Sequence, residues 1–357
     1  MKHVVFHGRR AAQIETDELR LTVTQEGGHV AEILHKPRNV SPLWIPNWPS
    51  IEPSTYSPAL HPEYGEGAEA QLLAGIFGHS ICLDLFGGPD PEEAVAGRTV
   101  HGEAPIAHYR MTGEEHSLLL HADLPKAEMT FERRIELAED GVVAFSETIH
   151  NYSPTDHPIG WTQHVTLGEP FLEPGRTQFR TSATRSKVYD SPFNDGLGMQ
   201  VEGEEFDWPL CPLKDGTVED LSTLTAKPAS GGFTTHLMDP AQEQSFFIVW
   251  SPRHQLAFGY AWKRADFPWL GRWEENHLRS SPPWNSAQFA LGMEFGVSAM
   301  AESRRRMVER GKLFATPTFF WALAETRHSV RYCAFLRRST TLPNGVQWDG
   351  ERKIALL

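Results

Sequence analysis

Met129-Thr-Phe-Glu-Arg-Arg-Ile-Glu-Leu137 alternates apolar and polar residues, and Val142-Val-Ala-Phe-Ser-Glu-Thr-Ile-His150 follows it after the short turn Glu139-Asp-Gly141. Alternation with a period of two is typical of a β-strand with one buried face. Two such runs joined by a short polar turn that contains Gly predict an antiparallel hairpin. This stretch therefore favours a fold built from paired antiparallel strands.

Strand-like runs recur along the rest of the chain, with turn residues between them and no regular alternation of strands with long helices. They are Glu18–Gln25, His29–Leu34, Ser117–His121, Phe233–Met238, Ser245–Trp250, Leu256–Trp262, Ala287–Phe295 and Val330–Leu336. The best helical candidate is Ala299–Leu313, which ends near Gly311. We expect an all-β, mainly antiparallel fold, a large β-sandwich with few short helices. Residues 1–357 are expected to form a single domain, with residues 338–357 as a C-terminal extension.

Composition and charge argue against some classes of binding partner. The 357 residues carry 33 Lys and Arg against 46 Asp and Glu, which gives a net charge of −13. A nucleic-acid or anionic-membrane binder would need a basic surface, so neither partner is expected. The sequence has no apolar run long enough to span a membrane and no N-terminal secretory signal. Its three cysteines lie far apart, which predicts neither a disulfide framework nor a CxxC metal site and favours the cytoplasm.

Two residue types are frequent for a chain of this size, with 17 His and 11 Trp. Histidine suits proton transfer, and tryptophan suits apolar cores or the faces of sugar rings. The segment from residue 39 to residue 66 is long and rich in Pro, Ser and Trp, which predicts an ordered functional loop or lid.

Three segments carry residues suited to chemistry. In Gly97-Arg-Thr-Val-His-Gly-Glu103, the Gly after His101 allows a tight turn that leaves the imidazole accessible. On a strand through residues 160–168, alternation places His164 on one face with small polar neighbours. On the strand of residues 287–296, Glu294 is the one large side chain on a face otherwise made of Ala and Gly. Glycine on both sides of a carboxylate leaves room for a ligand.

A carboxylate and one or two imidazoles on a concave sheet can serve general acid–base catalysis. The same groups could instead form a His₂Glu metal site. Their spacing in the sequence does not decide between these two kinds of site.

The ordered set of motifs resembles the galactose mutarotase, or aldose 1-epimerase, superfamily, and in particular an uncharacterised bacterial branch of it. The motifs are an opening GGHVAEI, then RTVHGEAP with His101, TQHVTLGEPFL with His164 and ALGMEFG with Glu294. They occur in the family order, and the resemblance covers roughly residues 15–337. The resemblance implies a large antiparallel β-sandwich whose concave face binds a sugar.

The resemblance also implies a reaction and a set of roles. Glu294 would take the proton of the sugar C1 hydroxyl, protonated His164 would donate to the ring oxygen, and His101 would bind near that oxygen. No cofactor and no metal would be needed. The expected partner is a small-molecule sugar substrate, and the oligomeric state is not predicted. Candidate substrate-binding residues are Arg98, Trp161, Gln163, His79, Trp269, Trp273 and Glu274.

Several alternatives to an aldose 1-epimerase-like isomerase stay open at this point. A non-catalytic carbohydrate-binding protein would keep the Trp surface without needing the acid–base pair. A hexose-phosphate epimerase would need a basic pocket, for which Arg176, Arg180 and Arg185 are candidates. An inverting hydrolase would need a second carboxylate roughly 6.5–9.5 Å from Glu294, and the sequence names no obvious one. The last alternatives are a lyase and a metal-dependent isomerase.

Overall fold

The computed structural model describes residues 1–191, 193, 196–227 and 229–357. Strands β1 to β13 are Lys2–Phe6, Arg9–Glu15, Leu19–Thr24, Val30–His35, His79–Asp84, Arg110–Gly113, Ser117–Leu124, Met129–Leu137, Val142–Asn151, His157–Gly168, Gln178–Thr181, Ala183–Val188 and Glu205–Asp207. Strands β14 to β26 are Leu210–Pro212, Val218–Asp220, Ser230–Met238, Gln244–Ser251, Leu256–Lys263, Trp269–Asn276, Phe289–Gly296, Lys312–Leu313, Thr316–Pro317, Phe320–Ala322, Arg327–Arg338, Val346–Trp348 and Ile354–Leu356.

Helices are short and few in the described part of the chain. The α-helices are α1 (Ala70–Leu73), α2 (Pro91–Val95) and α3 (Arg304–Arg310), and the 3₁₀ turns are Lys36–Arg38, Pro53–Thr55, Pro62–Tyr64 and Ala104–Ile106. The helix expected over Ala299–Leu313 is thus shorter than predicted. Ser303 is still extended before the first turn of α3, Gly311 ends the helix with a φ of 63°, and Lys312–Leu313 pairs as β21.

Most of the described strands form two large antiparallel sheets. The first runs β1-β2-β3-β4-β5-β10-β20-β19-β16-β12-β13, with β23 attached to β10, and the second runs β11-β17-β18-β24-β9-β8-β7-β6. The hairpin predicted from the Met129–His150 stretch is β8 paired with β9, in the middle of the second sheet. The all-β, mainly antiparallel sandwich predicted from the alternating pattern is confirmed.

The main core lies between the inner faces of the two sheets. Buried side chains such as Trp161, Val165 and Met293 from the first sheet meet Phe131 and Tyr332 from the second. Burial of apolar area of this kind is the dominant favourable contribution to folding. Because alternate residues of a strand face opposite ways, the other face of the first sheet is free to form a site.

The C-terminal segment covers part of the outer face of the second sheet. Trp348 and Ile354, from the hairpin β25–β26, are buried against Val142, Ile248 and Phe335. Residues 338–357 therefore contribute apolar contacts to the sandwich on the side remote from the free face of the first sheet.

Candidate active site

His164 and Glu294 lie directly opposite each other on the neighbouring strands β10 and β20. The register brings the Nε2 atom of His164 to 3.2 Å from the Oε1 atom of Glu294. Both side chains project from the face of the first sheet that points away from the core. This is the face that the alternating pattern predicted for each residue, and the strand pairing joins them although 130 residues separate them in sequence.

Glycine at position 292 makes room for the carboxylate. A Cβ atom placed there would lie 2.3 Å from the Oε1 atom of Glu294, a distance at which one of the groups must move. At Gly296, on the other side of Glu294, a Cβ atom would lie 2.6 Å from the backbone oxygen of Trp161. The two glycines thus have different functions, one freeing space for a side chain and one allowing close approach of strands.

A tight turn brings His101 to the pair. His101 adopts a φ of 65°, and a Cβ atom at the following Gly102 would lie 2.2 Å from the oxygen of Leu83, so only Gly fits there. The Nδ1–H of His101 donates to the Phe86 carbonyl over 2.5 Å. The ring centroids of His101 and His164 are 4.9 Å apart. The His-Gly signal in the sequence therefore corresponds to a turn that fixes an imidazole beside the acid–base pair.

Burial sets the protonation of all three groups. Burial raises the pKa of the Glu294 carboxyl from an ordinary 4.5 to about 8. Burial, followed by the proximity of His101, holds the pKa of His164 well below its ordinary 6.5. Burial also lowers the pKa of His101 to about 4, against the opposing effect of its hydrogen bond to Phe86. Near pH 7, the imidazoles are therefore neutral and Glu294 carries a proton.

That proton lies within reach of a neighbouring imidazole. Protonated Glu294 can donate to the Nε2 atom of His164, whose Nδ1 atom is 3.1 Å from the Oγ1 atom of Thr166. Moving the single proton across the 3.2 Å contact converts the neutral pair into a carboxylate and an imidazolium. The arrangement thus supplies one acid and one base that can exchange roles.

The three groups open into a cavity of about 230 Å³. This volume is below the usual 300–1,000 Å³ range of drug-sized pockets and suits a small molecule. The lining is largely aromatic and aliphatic, and it includes Trp44, Leu72, Leu73, Ile76, Val100, Tyr189, Phe193, Phe233, Trp273 and Trp284. Apart from the three site groups, the charged or polar residues in the described part of the lining include Glu69, Thr166 and Arg279.

Indole rings form one side of the cavity. Trp44 and Trp284 are stacked with centroids 6.0 Å apart, and Trp273 meets Trp284 edge-on at 5.8 Å. The guanidinium of Arg279 lies over the Trp284 ring at 4.6 Å, and its Nε atom is 3.2 Å from a carboxylate oxygen of Glu275. Of the tryptophans expected to bind substrate, Trp273 is the one that lines the cavity.

Trp161, Gln163 and His79 do not line the cavity. The expectation that they contact a substrate there is therefore corrected. All three are fully or almost fully buried and lie on the core side of the first sheet. Gln163 bonds to the His79 ring, to Arg133 and to Glu147, within a polar network in the core. The alternation that directs His164 outward necessarily directs its neighbour Gln163 inward.

Trp269, Arg98 and Glu274 are also absent from the cavity lining. Trp269 is buried and donates its indole N–H to the Pro317 carbonyl over 2.7 Å. Arg98 bonds to Asp84 and to the Lys126 carbonyl, which joins two loops. Glu274 faces the opposite side of β19 from Trp273 and is held by Arg272 and Ser230. Each of these groups has a structural partner that accounts for its polar atoms.

The basic cluster expected at Arg176, Arg180 and Arg185 lies elsewhere. These side chains bond to Glu173, Asn344 and Glu205, and none lines the cavity. The cavity residues that sequence reasoning missed include Trp44, Trp284 and Arg279. Trp44 belongs to the Pro- and Trp-rich segment expected to be functional, and the other two belong to the loop after β19.

The described residues lack two further features. No group of three or more His, Cys, Asp or Glu side chains in that part of the chain is placed to hold a metal ion. None of its helices is long and apolar enough to cross a membrane.

Comparisons with known proteins identify the fold. No protein-family model matches the sequence, and no curated protein matches it.

Solved structures do match this chain. A proposed aldose 1-epimerase from Klebsiella pneumoniae has a TM-score of 0.69 at 13% identity, covering 95% of this chain and 83% of that chain. A galactose mutarotase-like protein from Clostridium acetobutylicum has a TM-score of 0.59 at 12% identity, covering 94% and 98%. A galactose mutarotase related enzyme from Lactobacillus acidophilus has a TM-score of 0.58 at 11% identity, covering 93% and 99%. This chain therefore has the galactose mutarotase-like fold.

Proposed function

We propose that this protein is a carbohydrate-active isomerase of the aldose 1-epimerase type, which interconverts the anomers of a small sugar. The observation that carries the proposal is the 3.2 Å contact between His164 and Glu294 at the edge of a largely aromatic and aliphatic cavity. A purely binding site needs no buried carboxyl whose pKa is raised to about 8 beside a neutral imidazole. The solved structures of similar fold include a proposed aldose 1-epimerase and a galactose mutarotase related enzyme, which supports a sugar as the ligand.

The reaction needs one base at the C1 hydroxyl and one acid at the ring oxygen. Transfer of the shared proton gives a Glu294 carboxylate and a His164 imidazolium. Glu294 then removes the C1 hydroxyl proton, the C1 carbonyl forms, the bond between C1 and the ring oxygen breaks, and His164 protonates that oxygen. Rotation about the C1–C2 bond presents the other face of the aldehyde. Closure reverses the proton transfers, so the pair ends with the single proton with which it began.

His101 has a different role in this mechanism. Its Nδ1–H is committed to the Phe86 carbonyl, and its lowered pKa keeps the ring neutral, so the free Nε2 atom is an acceptor. A neutral Nε2 acceptor cannot donate to the ring oxygen. We therefore assign His101 to accepting a hydrogen bond from a sugar hydroxyl next to the reacting carbon. This replaces the role near the ring oxygen that the resemblance implied.

Two alternatives make different demands on the cavity. A non-catalytic carbohydrate-binding protein would bind the same sugar without accelerating its interconversion. A hexose-phosphate epimerase would need a free cationic group, whereas Arg279, the one Lys or Arg side chain among the described lining residues, pairs with Glu275. The geometry thus favours catalysis on an uncharged sugar.

Exchange NMR of free aldoses tests the proposal, because it measures anomer interconversion without a coupled assay. Wild-type protein should accelerate the exchange of at least one aldose in the panel. Glu294→Gln and His164→Ala should each lose about 10²–10⁴-fold of that acceleration. Glu132→Gln, at an exposed position on β8, is the matched control and should behave as wild type. Binding without acceleration would instead support the carbohydrate-binding protein.

A further inference from the structure

The cavity has a chemically distinct wall beyond the acid–base pair. Thr166, two residues past His164 on β10, accepts a backbone hydrogen bond from Trp44 over 2.9 Å. Trp44 lies so close to Gly168 that a Cβ atom there would be 2.8 Å from the indole. Around Trp44 an apolar cluster closes this end of the cavity. Its members that line the cavity are Trp44, Leu72, Leu73, Ile76, Val100, Trp273 and Trp284, which we call the apolar wall.

Among the described residues, few polar atoms remain for a ligand near this wall. Thr166 already bonds to His164, and the Tyr189 hydroxyl donates to the Ala301 carbonyl over 3.2 Å. The indole N–H of Trp284 has no partner among the described residues, but the atom is itself buried and does not present a donor to the cavity. The half-buried Glu69 offers a carboxylate. Glu69, His101 and Glu294 can serve the anomeric end and a minority of the hydroxyls of a hexose.

We propose that the substrate is an uncharged 6-deoxyaldohexose, with its methyl group against the apolar wall and its C1 at Glu294 and His164. This inference rests on the proposed function and names its substrate class. A hydroxymethyl group at the same place would bury a hydroxyl that has no partner among the described wall residues, which costs roughly tenfold to a hundredfold in affinity. A methyl group needs no partner and gains from leaving water.

The charge distribution argues against a phosphate at the same carbon. The Arg279 guanidinium is covered by the Trp284 ring and faced by the Glu275 carboxylate at 3.2 Å. Glu69 and Glu294 add carboxyl groups to the lining. A phosphate in this cavity would thus lose its hydration and meet a cation that is already paired. The apolar wall and the paired Arg279 therefore both favour an uncharged group at carbon 6 of the sugar.

The test varies carbon 6 and nothing else. Exchange NMR would compare D-fucose, D-galactose and D-galactose 6-phosphate, and likewise D-quinovose, D-glucose and D-glucose 6-phosphate. We expect the deoxy sugar of at least one series to have a kcat/KM about 10–100-fold above that of its parent hexose, and the phosphate to be the poorest. A parent hexose or a phosphate that is preferred in both series would overturn the inference.

Failure of the proposed function is distinguishable from failure of this inference. If the protein accelerates the anomer exchange of no sugar, the isomerase proposal fails. Calorimetric binding of the same sugars then tests separately whether the apolar wall prefers a methyl group at carbon 6. Tighter binding of a deoxy sugar than of its parent supports the wall assignment, and equal or weaker binding in both series overturns it.

A variant tests the wall directly. Val100→Thr is nearly isosteric and adds a hydroxyl at a half-buried wall position. We expect it to reduce the preference for the deoxy sugar at least about threefold, because the parent hydroxyl gains a partner. Val95→Thr, the same change at a position 90% exposed on α2, should leave the preference unchanged. An unchanged preference in Val100→Thr would contradict the placing of carbon 6 at this wall.

Discussion

His164 and Glu294 face each other across β10 and β20, and their side chains meet at 3.2 Å on the face of the sheet opposite the core. The contact joins two groups that burial drives toward their neutral forms. A single proton can therefore move between them without creating net charge in the cavity. Ring opening of a sugar requires this combination of an acid and a base.

The pH dependence of activity should follow the proton of the pair. Because the pKa of Glu294 is raised to about 8, raising the pH through that value removes the proton and leaves no acid. We expect kcat/KM for anomer interconversion to fall about tenfold per pH unit above pH 8. A pH profile of exchange rates, corrected for the uncatalysed reaction, checks this. A rate that is flat between pH 7 and pH 9.5 would contradict the assignment.

The same carboxyl should make stability depend on pH. Its pKa is about 8 in the folded protein against an ordinary 4.5, so the folded state binds more protons between these values. This contribution to stability is fully present below pH 4.5 and is lost as the pH rises through 8. Urea unfolding at pH 5 and pH 8.5 should therefore show that Glu294→Gln gains stability relative to wild type at the higher pH. Equal differences at both pH values would show that the carboxyl is not perturbed.

Gly292 should be required for activity more than for folding. Gly292→Ala places a methyl group 2.3 Å from the present position of the Glu294 Oε1 atom, and the flexible carboxylate is the group that can move. We expect a loss of about 10²-fold in kcat/KM from displacement of the reacting group. Thermal unfolding should still give a cooperative transition. Wild-type activity in this variant would mean that the observed carboxylate position is not the reactive one.

The polar network in the core should contribute to stability. Arg133 and Glu147 form a fully buried ion pair at 2.8 Å, and Glu147 also accepts from the Trp161 indole over 3.0 Å. Glu147→Gln leaves the buried Arg133 charge uncompensated and should destabilise the protein by about 3–5 kcal/mol. The exposed pair Arg110–Asp123 provides the control, since Asp123→Asn should cost less than about 1 kcal/mol. Urea unfolding measures both values, and similar small losses would contradict this account of the network.

The local pattern was sufficient to predict the strands and the outward faces of His164 and Glu294. Alternation with a period of two is a local property, and each predicted run overlaps an observed strand, with differences of one or two residues at some ends. The pairing of His164 with Glu294 depends on the order of strands in the sheet, which local pattern does not contain. The resemblance of the ordered motifs supplied that long-range information.

The structure places most of the expected sugar-binding side chains outside the cavity. Trp161 and Trp269 have the same side chain as Trp273, and only the packing around each ring separates core from cavity. Trp44 and Trp284 lie outside regular strands, so no periodicity predicted their direction. Arg98 and Glu274 are satisfied by partners distant in sequence, which composition and spacing could not reveal.

The central claim is that Glu294 and His164 act as one unit that moves a proton through the sugar. The most direct measurement is the acceleration of anomer exchange by Glu294→Gln, His164→Ala and the double variant, beside wild type. Residues that act as a unit are non-additive, so the double variant should be no slower than the slower single variant. Losses that multiply in the double variant, or single variants that keep wild-type acceleration, would contradict the claim.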